Sequence, residues 1–332
     1  MLFRAVHMPR LYQDLPTADA EQKRYCSSIL PLMQSAADNL VLLVDEDGRI
    51  RSSIVESISR WPISHRKLAQ LLLLRLEHFH RFVTVKSTPA EGDCGFDGCS
   101  YARAIAQSTT HDVTVAASNC VSCLKWGLPN LTNEGDYCVS TFFQRSVNAR
   151  TLEVRDRQYS KQEFAALFLY PLLRHASWLR IIDRWVGRHI FTANGVEQSY
   201  RETLEWIVQE YKNLHPKGGA RVTIVTGVQV RHEHADEFRE ALASAEQLRR
   251  LRDELSSQTG VPIELDIRFE KPTAELPHAR YMFTDQFNVM IDRGASLVDR
   301  NGRIRDVFVS QVRKPGEVMA QVQSLRKVPL SL

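Results

Sequence analysis

The chain has 332 residues, of which 43% are hydrophobic and 25% charged, and its formal net charge is +4. It is long enough for two globular domains, and its charge excludes the strongly basic balance of a protein that coats nucleic acid. Its longest apolar cluster, residues 71–74, is far too short to span a bilayer, so we expect no membrane partner. The N-terminus has no secretory leader pattern, which predicts a cytoplasmic protein whose six cysteines are thiols or metal ligands.

The first half, residues 1–150, predicts a small α/β domain. A helical lead-in over residues 1–38 precedes a continuous apolar run at 40–44, which ends in Asp45. This pattern is typical of a buried parallel strand that carries carboxylates at its C-terminal end. Further helices are predicted at 50–60, 65–78 and 101–107, and further strands at 82–85 and 113–117. The alternation indicates a parallel sheet, in which ligand groups gather at the carboxyl ends of the strands.

The second half, residues 151–332, predicts another α/β domain. A strand at 178–183 ends in an acid, Asp183, and a later strand at 280–283 carries the most informative motif of the chain. The other predicted elements are helices at 161–175, 196–213 and 233–257, strands at 222–226, 263–269 and 289–291, and a C-terminal helix from Pro315. His232 and His234 are predicted to lie at an exposed helix start, because residues two apart do not share a helical face.

A histidine, an arginine and an aspartate stand at the spacing H-x-R-x-x-x-x-D in His278, Arg280 and Asp285. Alternate residues of a strand point to one face, so we expect His278 and Arg280 to project together. Asp285, past the end of the strand, is expected to return and either orient the imidazole or hold the basic side chain. A nucleophilic histidine beside a fixed cation that binds a phosphoryl oxygen suits a phosphodiester site. The alternative is an ordinary strand with a surface histidine, a surface arginine and a turn aspartate.

Over residues 160–325 the chain resembles the phospholipase D superfamily, in the form with one such motif per domain. The resemblance rests on His278, Arg280 and Asp285, on the strand that ends in Asp183, and on the order of elements before the motif. It implies that His278 is a phosphoryl nucleophile, that Arg280 binds phosphate in place of a lysine, and that Asp285 supports His278. That chemistry needs no metal, but it needs two motifs. The resemblance therefore implies a homodimer for catalysis, with phosphate or partner binding as the alternative.

The first half also resembles PIN-type nuclease domains, which hold Mg²⁺ or Mn²⁺ with carboxylates at the edge of a small parallel sheet. The resemblance implies Asp45 as the first acid, Glu77 or Glu56 as the second and Asp97 as the third, whereas Asn119 stands where a fourth acid is needed. The alternative is an α/β domain whose acids lie in loops and at helix N-caps, as Asp97 before a helix would.

Four cysteines form a third candidate site, in the pairs Cys94-x4-Cys99 and Cys120-x2-Cys123. Both pairs lie on loops that are expected to meet at one edge of the first sheet. Four thiolates suit tetrahedral Zn²⁺, and Cys138 is a substitute ligand. A zinc ion there would occupy the place of the metal in a PIN-type domain. The alternative is that these cysteines are small buried apolar residues.

Together these patterns predict a two-domain protein that binds or hydrolyses nucleic-acid phosphodiesters through its second domain, in a role such as defence against foreign DNA. The expected partners are nucleic acid and a second copy of the chain or a larger protein complex. One alternative is a non-catalytic adaptor with a degenerate phosphate or partner site. A second alternative is a metal-dependent PIN-like nuclease. Metal dependence separates the two nuclease hypotheses.

Overall fold

The structure is a computed structural model of the chain. It describes residues 2–13, 15–90, 94–188, 190–191, 195–230, 235–299 and 301–329. The chain divides into two compact units, Met1–Arg150 and Thr151–Leu332, which we call unit 1 and unit 2. Each unit combines helices with a sheet, so the predicted α/β class is confirmed. None of the described helices has both the length and the apolar character that crossing a membrane requires.

Unit 1 is a parallel sheet with helices packed on it. Its strands are β1 (Phe3–His7), β2 (Leu40–Asp45), β3 (Phe82–Val85), β4 (Val113–Ala116) and β5 (Leu131–Asn133). Its helices are α1 (Asp19–Asn39), α2 (Arg49–Ser59), α3 (Ile63–His78), α4 (Asp97–Ser108), α5 (Val121–Lys125), α6 (Glu134–Tyr137) and α7 (Thr141–Asn148). The strand order is β3-β2-β1-β4-β5, and all the pairs are parallel. Strands β2 and β3 therefore lie on one side of β1, and β4 and β5 lie on its other side. Sheets of this kind bind ligands at the point between β1 and β4, where the strand order changes direction.

The central strand β1 corrects the prediction of a helical lead-in over residues 1–38. It pairs with β2 on one side and with β4 on the other, and Ala5 and Val6 are completely buried. Five residues are too few to show a period of their own, so these two long-range pairings decide that the segment is a strand. The apolar run before Asp45 is confirmed as β2, and every residue of that strand is buried.

Unit 2 is built on a larger, mixed sheet. The strands of unit 2 as a whole are β6 (Thr151–Val154), β7 (Leu179–Ile182), β8 (Ile190–Phe191), β9 (Gly195–Val196), β10 (Val222–Gln229), β11 (Ile263–Glu270), β12 (Arg280–Thr284), β13 (Asn288–Ile291) and β14 (Val307–Gln311). Its helices are α8 (Lys161–Phe164), α9 (Tyr170–Leu173), α10 (Arg184–Arg188), α11 (Gln198–Leu214), α12 (Ala235–Thr259) and α13 (Pro315–Ser324). A π-helical turn, Ala165–Leu169, joins α8 to α9. The predicted helix start at His232 and His234 lies outside the described residues.

The seven-stranded sheet of unit 2 has the order β11-β10-β7-β12-β13-β14-β6. Strands β11, β10 and β7 are parallel, so their carboxyl ends lie together at one end of the sheet, which we call its carboxyl edge. Strand β12 runs antiparallel to β7 and pairs Tyr281 with Ile182, which brings its first residue, Arg280, to that same edge. The edge therefore collects Asp183 after β7, Glu270 at the end of β11 and Arg280 at the start of β12.

Apolar packing fixes this edge from both faces of the sheet. Alternate residues of β11 are buried, and α12 covers the strand with Leu248, Leu251 and Leu255. A second buried cluster joins β7, β10 and β12 to α13 and consists of Ile182, Val225, Leu276, Phe283, Val322 and Leu325. Burial of each large apolar side chain contributes about 1.5–3 kcal/mol, so strands and helices hold the edge as one packed body.

Candidate functional site

The buried carboxylate of Asp183 organises one side of the candidate site in unit 2. Its Oδ1 accepts a hydrogen bond from the N–H of Trp185 at 2.9 Å, and its Oδ2 accepts one from the N–H of Ala295 at 2.7 Å. The Nε of Arg280 lies 3.9 Å from Oδ1. A further N–H of Arg280 donates to the carbonyl oxygen of Asp292. The structure thus brings the predicted residues Asp183 and Arg280 together and holds both in place.

Two arginines and two glutamates form the other side of the site. Arg184 and Arg188 stand one turn apart on α10, and both approach Glu270 and Glu275. Arg188 Nε lies 3.0 Å from Glu270 Oε2, and Arg188 NH2 lies 2.8 Å from Glu275 Oε1. Arg184 is completely buried, with nitrogens 3.3 and 2.9 Å from the same two carboxylates. Those nitrogens are not aligned for hydrogen bonds, so Arg184 contributes positive charge to the cluster but no directed hydrogen bond to either carboxylate.

The environment of Glu270 shows that burial outweighs the neighbouring cations. Removal from water raises the pKa of Glu270, although the N–H of Leu276 and the guanidinium of Arg184 both favour the charged form. That N–H donates to Glu270 Oε1 at 2.7 Å. Protonation of Glu270 therefore leaves the guanidinium groups of the cluster with less compensating negative charge.

Trp185 joins the two sides into one cluster. The guanidinium carbons of Arg184, Arg188 and Arg280 lie 5.6, 5.4 and 5.5 Å from the centre of its ring. At these distances the ring quadrupole attracts a cation. The indole therefore fixes three guanidinium groups around one point at the edge of the sheet.

His278 lies at the exposed surface of this cluster. It precedes β12, and 77% of its side-chain surface is exposed. Its Nε2 lies 3.5 Å from Glu275 Oε2, while Oε1 of the same carboxylate faces Arg184 and Arg188. Glu275 thus lies between the imidazole of His278 and the arginine pair.

Asp285 does not take part in the cluster, so the expectation that it orients His278 is not met. Its two carboxylate oxygens accept hydrogen bonds from the N–H and the hydroxyl of Ser177, at 2.9 and 2.6 Å. The five residues of β12 span roughly 16 Å, which places Asp285 at the opposite edge of the sheet from Arg280. The carboxylate that lies beside His278 is that of Glu275.

Sequence reasoning also missed the residues that surround the motif. Two signals were present: the spacing R-x-x-x-R in Arg184 and Arg188, directly after Asp183, and the acid Glu275 three residues before His278. Neither is informative until α10 and the segment before β12 are known to meet at one edge.

The two predicted cysteine pairs of unit 1 meet, although Cys99 lies in α4 and Cys123 in α5 rather than on loops. Cys94 Sγ lies 3.6 Å from the Sγ of both Cys120 and Cys123, and these three sulfurs lie within 4.8 Å of one another. Cys99 is also buried and forms thiol hydrogen bonds with Cys94 and Cys123. Cys94 and Cys99 flank the start of α4, and Cys120 and Cys123 follow β4. The buried group Cys94, Cys120 and Cys123 is therefore close enough to share one metal ion.

The protonation states within this cysteine cluster are strongly biased. The thiol of Cys99 donates to Cys94 and lowers the pKa of Cys94 to about 5, an effect that Arg10 reinforces from 3.8 Å. Burial is the main cause that raises the pKa of Cys120 to about 12, and hydrogen bonds to Cys123 and Cys94 raise the pKa of Cys99. These shifts favour a thiolate at Cys94 and protonated thiols at Cys99 and Cys120, and a divalent cation that replaced the protons would bind soft sulfur ligands.

The acids proposed for a PIN-type site have other partners. Both oxygens of Asp45 accept hydrogen bonds from the N–H groups of Arg49 and Ile50, at 2.8 and 2.7 Å, so Asp45 caps α2. Glu77 pairs with Arg51 and Glu56 pairs with Arg60. The side chain of Asp97 lies outside the described residues. Asp45 is buried and each of its oxygens accepts a backbone hydrogen bond, so its role in the structure is to hold the start of α2.

Comparisons with known proteins leave these two clusters to carry the functional argument. No protein-family model matches the chain, and no curated protein or solved structure shows significant similarity to it. The side chains of unit 1 and unit 2 are therefore what indicates the chemistry of the two clusters.

Proposed function

We propose that unit 2 binds nucleic-acid phosphodiesters through the cluster of His278, Arg280 and Glu275, in the manner of a phospholipase D-like domain. We further propose that it hydrolyses them when two copies of His278 meet in a homodimer, with foreign DNA as a substrate. One observation carries the proposal: an exposed imidazole lies beside a carboxylate, at an edge of the sheet that is lined with arginines. Nucleophile, orienting group and phosphate-binding cations then lie within one site.

In this reaction His278 Nδ1 attacks phosphorus while Glu275 holds the proton on Nε2. A P–N bond forms as the bond from phosphorus to the leaving oxygen breaks. The leaving oxygen takes a proton from the second copy of His278, which then activates the water that cleaves the P–N bond. Arg280, fixed by Asp183, stabilises the negative charge on the phosphoryl oxygens. All these groups belong to the protein, so the reaction is expected to survive chelation of metal.

Cleavage of a labelled oligonucleotide in the presence of EDTA tests this proposal. We expect His278→Ala to abolish the cleavage and Glu275→Gln to slow it by about 100-fold, since general acid–base groups contribute 10²–10⁴-fold. His65→Ala, which removes an exposed histidine of unit 1, is the matched control and should leave the rate unchanged. An unchanged rate in His278→Ala would contradict the mechanism.

A second candidate function is binding without cleavage, as part of a larger protein complex. The specific observation in its favour is that Arg280 is already held by Asp183 and by the carbonyl of Asp292. A guanidinium that is fixed by these partners binds a phosphate, but it does not move with the phosphoryl group during a reaction. This candidate predicts that the wild-type protein binds the oligonucleotide, leaves it intact and is a monomer or a dimer whose two His278 side chains lie far apart. Cleavage by the purified wild type would exclude it.

We also propose that Cys94, Cys99, Cys120 and Cys123 hold a structural zinc ion. Four buried thiols, two of them at the start of α4 and two at the start of α5, match a closed tetrahedral site, in which Zn²⁺ binds sulfur at about 2.3 Å. Zinc would join the loop before α4 to the loop after β4, so its contribution would be to the stability of unit 1.

A further inference from the structure

A cavity of about 430 Å³ lies at the amino ends of β10 and β11 in unit 2. Its wall is formed by the end of α11, the loop between α11 and β10, and the segment between α12 and β11. The volume is within the range of small-molecule sites, roughly 300–1,000 Å³. The eight residues of β10 span roughly 26 Å, so this cavity is separate from the cluster of Asp183, Glu270 and Arg280 at the carboxyl edge.

The loop that forms one wall of the cavity is basic and rich in glycine. Residues 212–221 read K-N-L-H-P-K-G-G-A-R, with three cations and no acid. In the part of the chain that the structure describes, the residues that line the cavity include no acid either. A concave surface that carries positive charge without a compensating carboxylate favours an anion as its ligand.

Lys212 supplies that positive charge. Its side chain is exposed and forms no hydrogen bond or ion pair with any residue that the structure describes. Its Nζ lies 3.3 Å from the position that a Cβ on Gly260 would occupy, so the ammonium group lies directly over this glycine. Both residues line the cavity, and Gly260 has a φ of +67°, which favours glycine. The absence of a side chain at residue 260 therefore leaves the ammonium group accessible from the cavity.

Backbone donors belong to the same wall. Gly219 and Ala220 line the cavity, and neither of their N–H groups donates a hydrogen bond to a described residue. Gly218 and Gly219 have φ values of +85° and +89°, and a Cβ on either would meet nothing within 4 Å, so the space beside this backbone is open. Successive backbone N–H groups in a concave turn form binding sites for anions.

Internal contacts hold the loop in place. The Nδ1 of His215 donates to the carbonyl oxygen of Tyr211 at 2.9 Å, and the two rings are 4.6 Å apart. The hydroxyl of Tyr211 in turn donates to the carbonyl oxygen of Ala176 at 3.0 Å. The N–H of Gly218 donates to the carbonyl oxygen of His215 at 3.1 Å. A ligand therefore meets a formed wall, and binding loses little entropy through ordering of the loop.

We propose that this cavity binds the phosphate group of a phosphomonoester. The ammonium group of Lys212 and the two N–H groups provide donors for the three terminal oxygens of the phosphate. The organic part of the ester would pack on the apolar residues of the wall, which include Pro216, Val261 and Pro262. The inference does not depend on the function proposed for the carboxyl edge. The phosphate can belong to a small metabolite or to the 5′ end of a nucleic-acid strand.

Isothermal titration calorimetry with inorganic phosphate, and with acetate at the same ionic strength, tests the proposal. The wild type should bind phosphate and not acetate. Lys212→Met keeps a long side chain but removes the charge, so it should weaken phosphate binding about tenfold or more, whereas Lys212→Arg should retain it. Lys67→Met, which removes an exposed lysine of unit 1, is the matched control and should bind as the wild type. The loss in Lys212→Met should also occur in a protein that carries Arg280→Gln, because the phosphate-binding cation of the carboxyl edge is then absent.

Competition decides the source of the phosphate group. Displacement of inorganic phosphate by ribose 5-phosphate indicates a metabolite, and displacement by a 5′-phosphorylated thymidine tetranucleotide, but not by its 5′-hydroxyl form, indicates the end of a strand. If neither phosphorylated compound displaces it, the cavity does not take a phosphomonoester and the proposal is wrong. Equal binding of phosphate and acetate, or unchanged phosphate binding by Lys212→Met, would overturn it as well. A wild type that does not bind phosphate at all would have the same consequence.

Discussion

Asp183 and Arg280 can approach one another only because residue 294 has no side chain. Gly294 has a φ of +55°, and a Cβ on it would lie 2.3 Å from Asp183 Oδ2 and 2.4 Å from Arg280 Cγ. Both atoms belong to side chains with fixed hydrogen bonds, so neither can move away cheaply. The glycine therefore serves the geometry of the cluster and does more than complete a turn.

Gly294→Ala should lower the free energy of unfolding by about 3 kcal/mol or more, because the strained φ and the overlap with Asp183 both oppose folding. Gly302→Ala is the matched control: its φ is +72°, but nothing lies within 4 Å of the added Cβ. The control should lose only about 1 kcal/mol, the cost of the backbone conformation alone. Urea denaturation of both variants measures the difference, and equal losses would contradict the close approach at Gly294.

A buried histidine makes the stability of unit 1 depend on pH. His7 is 2% exposed, its Nδ1 lies 2.6 Å from the hydroxyl of Tyr12, and burial lowers its pKa from 6.5 to about 3. The unfolded chain therefore binds a proton more readily than the folded chain between these two values. The stabilisation is complete above pH 6.5 and decreases as the pH falls toward 3.

Between pH 7 and pH 5 this single residue should account for a loss of about 2 kcal/mol in the free energy of unfolding. His7→Gln keeps a hydrogen-bonding group near Tyr12 but does not titrate, so the variant should lose less stability over the same interval. Denaturant unfolding at the two pH values, for wild type and variant, isolates the effect because the other groups cancel. Parallel losses would show that His7 is not held neutral.

At the scale of elements, the sequence predicts best where a signal is local and strong. The apolar run of β2 and the helix that begins at Pro315 were predicted correctly, and so was the approach of Cys94 to Cys120 and Cys123, although Cys99 and Cys123 lie in helices rather than on loops. Strand β1 was missed because only its neighbours in the sheet make it a strand. The role of Asp285 was misplaced because a five-residue strand separates it from His278, whereas Glu275 lies close by through a turn that has no periodic pattern.

The loops before α4 and after β4 should be joined by one zinc ion per chain. We expect Cys123→Ser to lose the metal in elemental analysis, because the remaining thiols cannot complete a tetrahedral site. Cys138→Ser should keep it, since the sulfur of Cys138 is not among those that contact Cys94, whereas Cys99, Cys120 and Cys123 all contact it. Zinc at 100 times its dissociation constant should add about 2.7 kcal/mol to the free energy of unfolding of the wild type.

Acidification should release this zinc, because binding requires thiolates. Burial and thiol hydrogen bonds raise the pKa values of Cys99 and Cys120, so the ion competes with protons at these positions. The occupancy measured by native mass spectrometry should therefore fall as the pH is lowered from 7 to 5. A metal-free protein at pH 7, or a Cys123→Ser variant that still holds zinc, would contradict the proposed site.

At the scale of the whole molecule, each unit gathers polar side chains where its parallel strands end. Unit 1 places cysteines near β1 and β4, and unit 2 places arginines and acids near β7, β10 and β11. Local sequence identified both edges, because apolar strands that end in polar residues are visible without a structure. Unit 2 supplies one His278 per chain, whereas the proposed reaction uses one histidine to attack and another to protonate the leaving group.

Mixing active and inactive chains decides whether two copies form one site. If subunits of wild type and His278→Ala exchange freely, equal amounts should give about a quarter of the full activity, because only pairs of two wild-type chains hold both histidines. A site complete within one chain should instead retain about half. Oligonucleotide cleavage in EDTA measures the activity, and light scattering after size-exclusion chromatography reports whether the mixed species is a dimer. A monomer that cleaves at full rate would exclude the shared site and require a second proton donor from within unit 2.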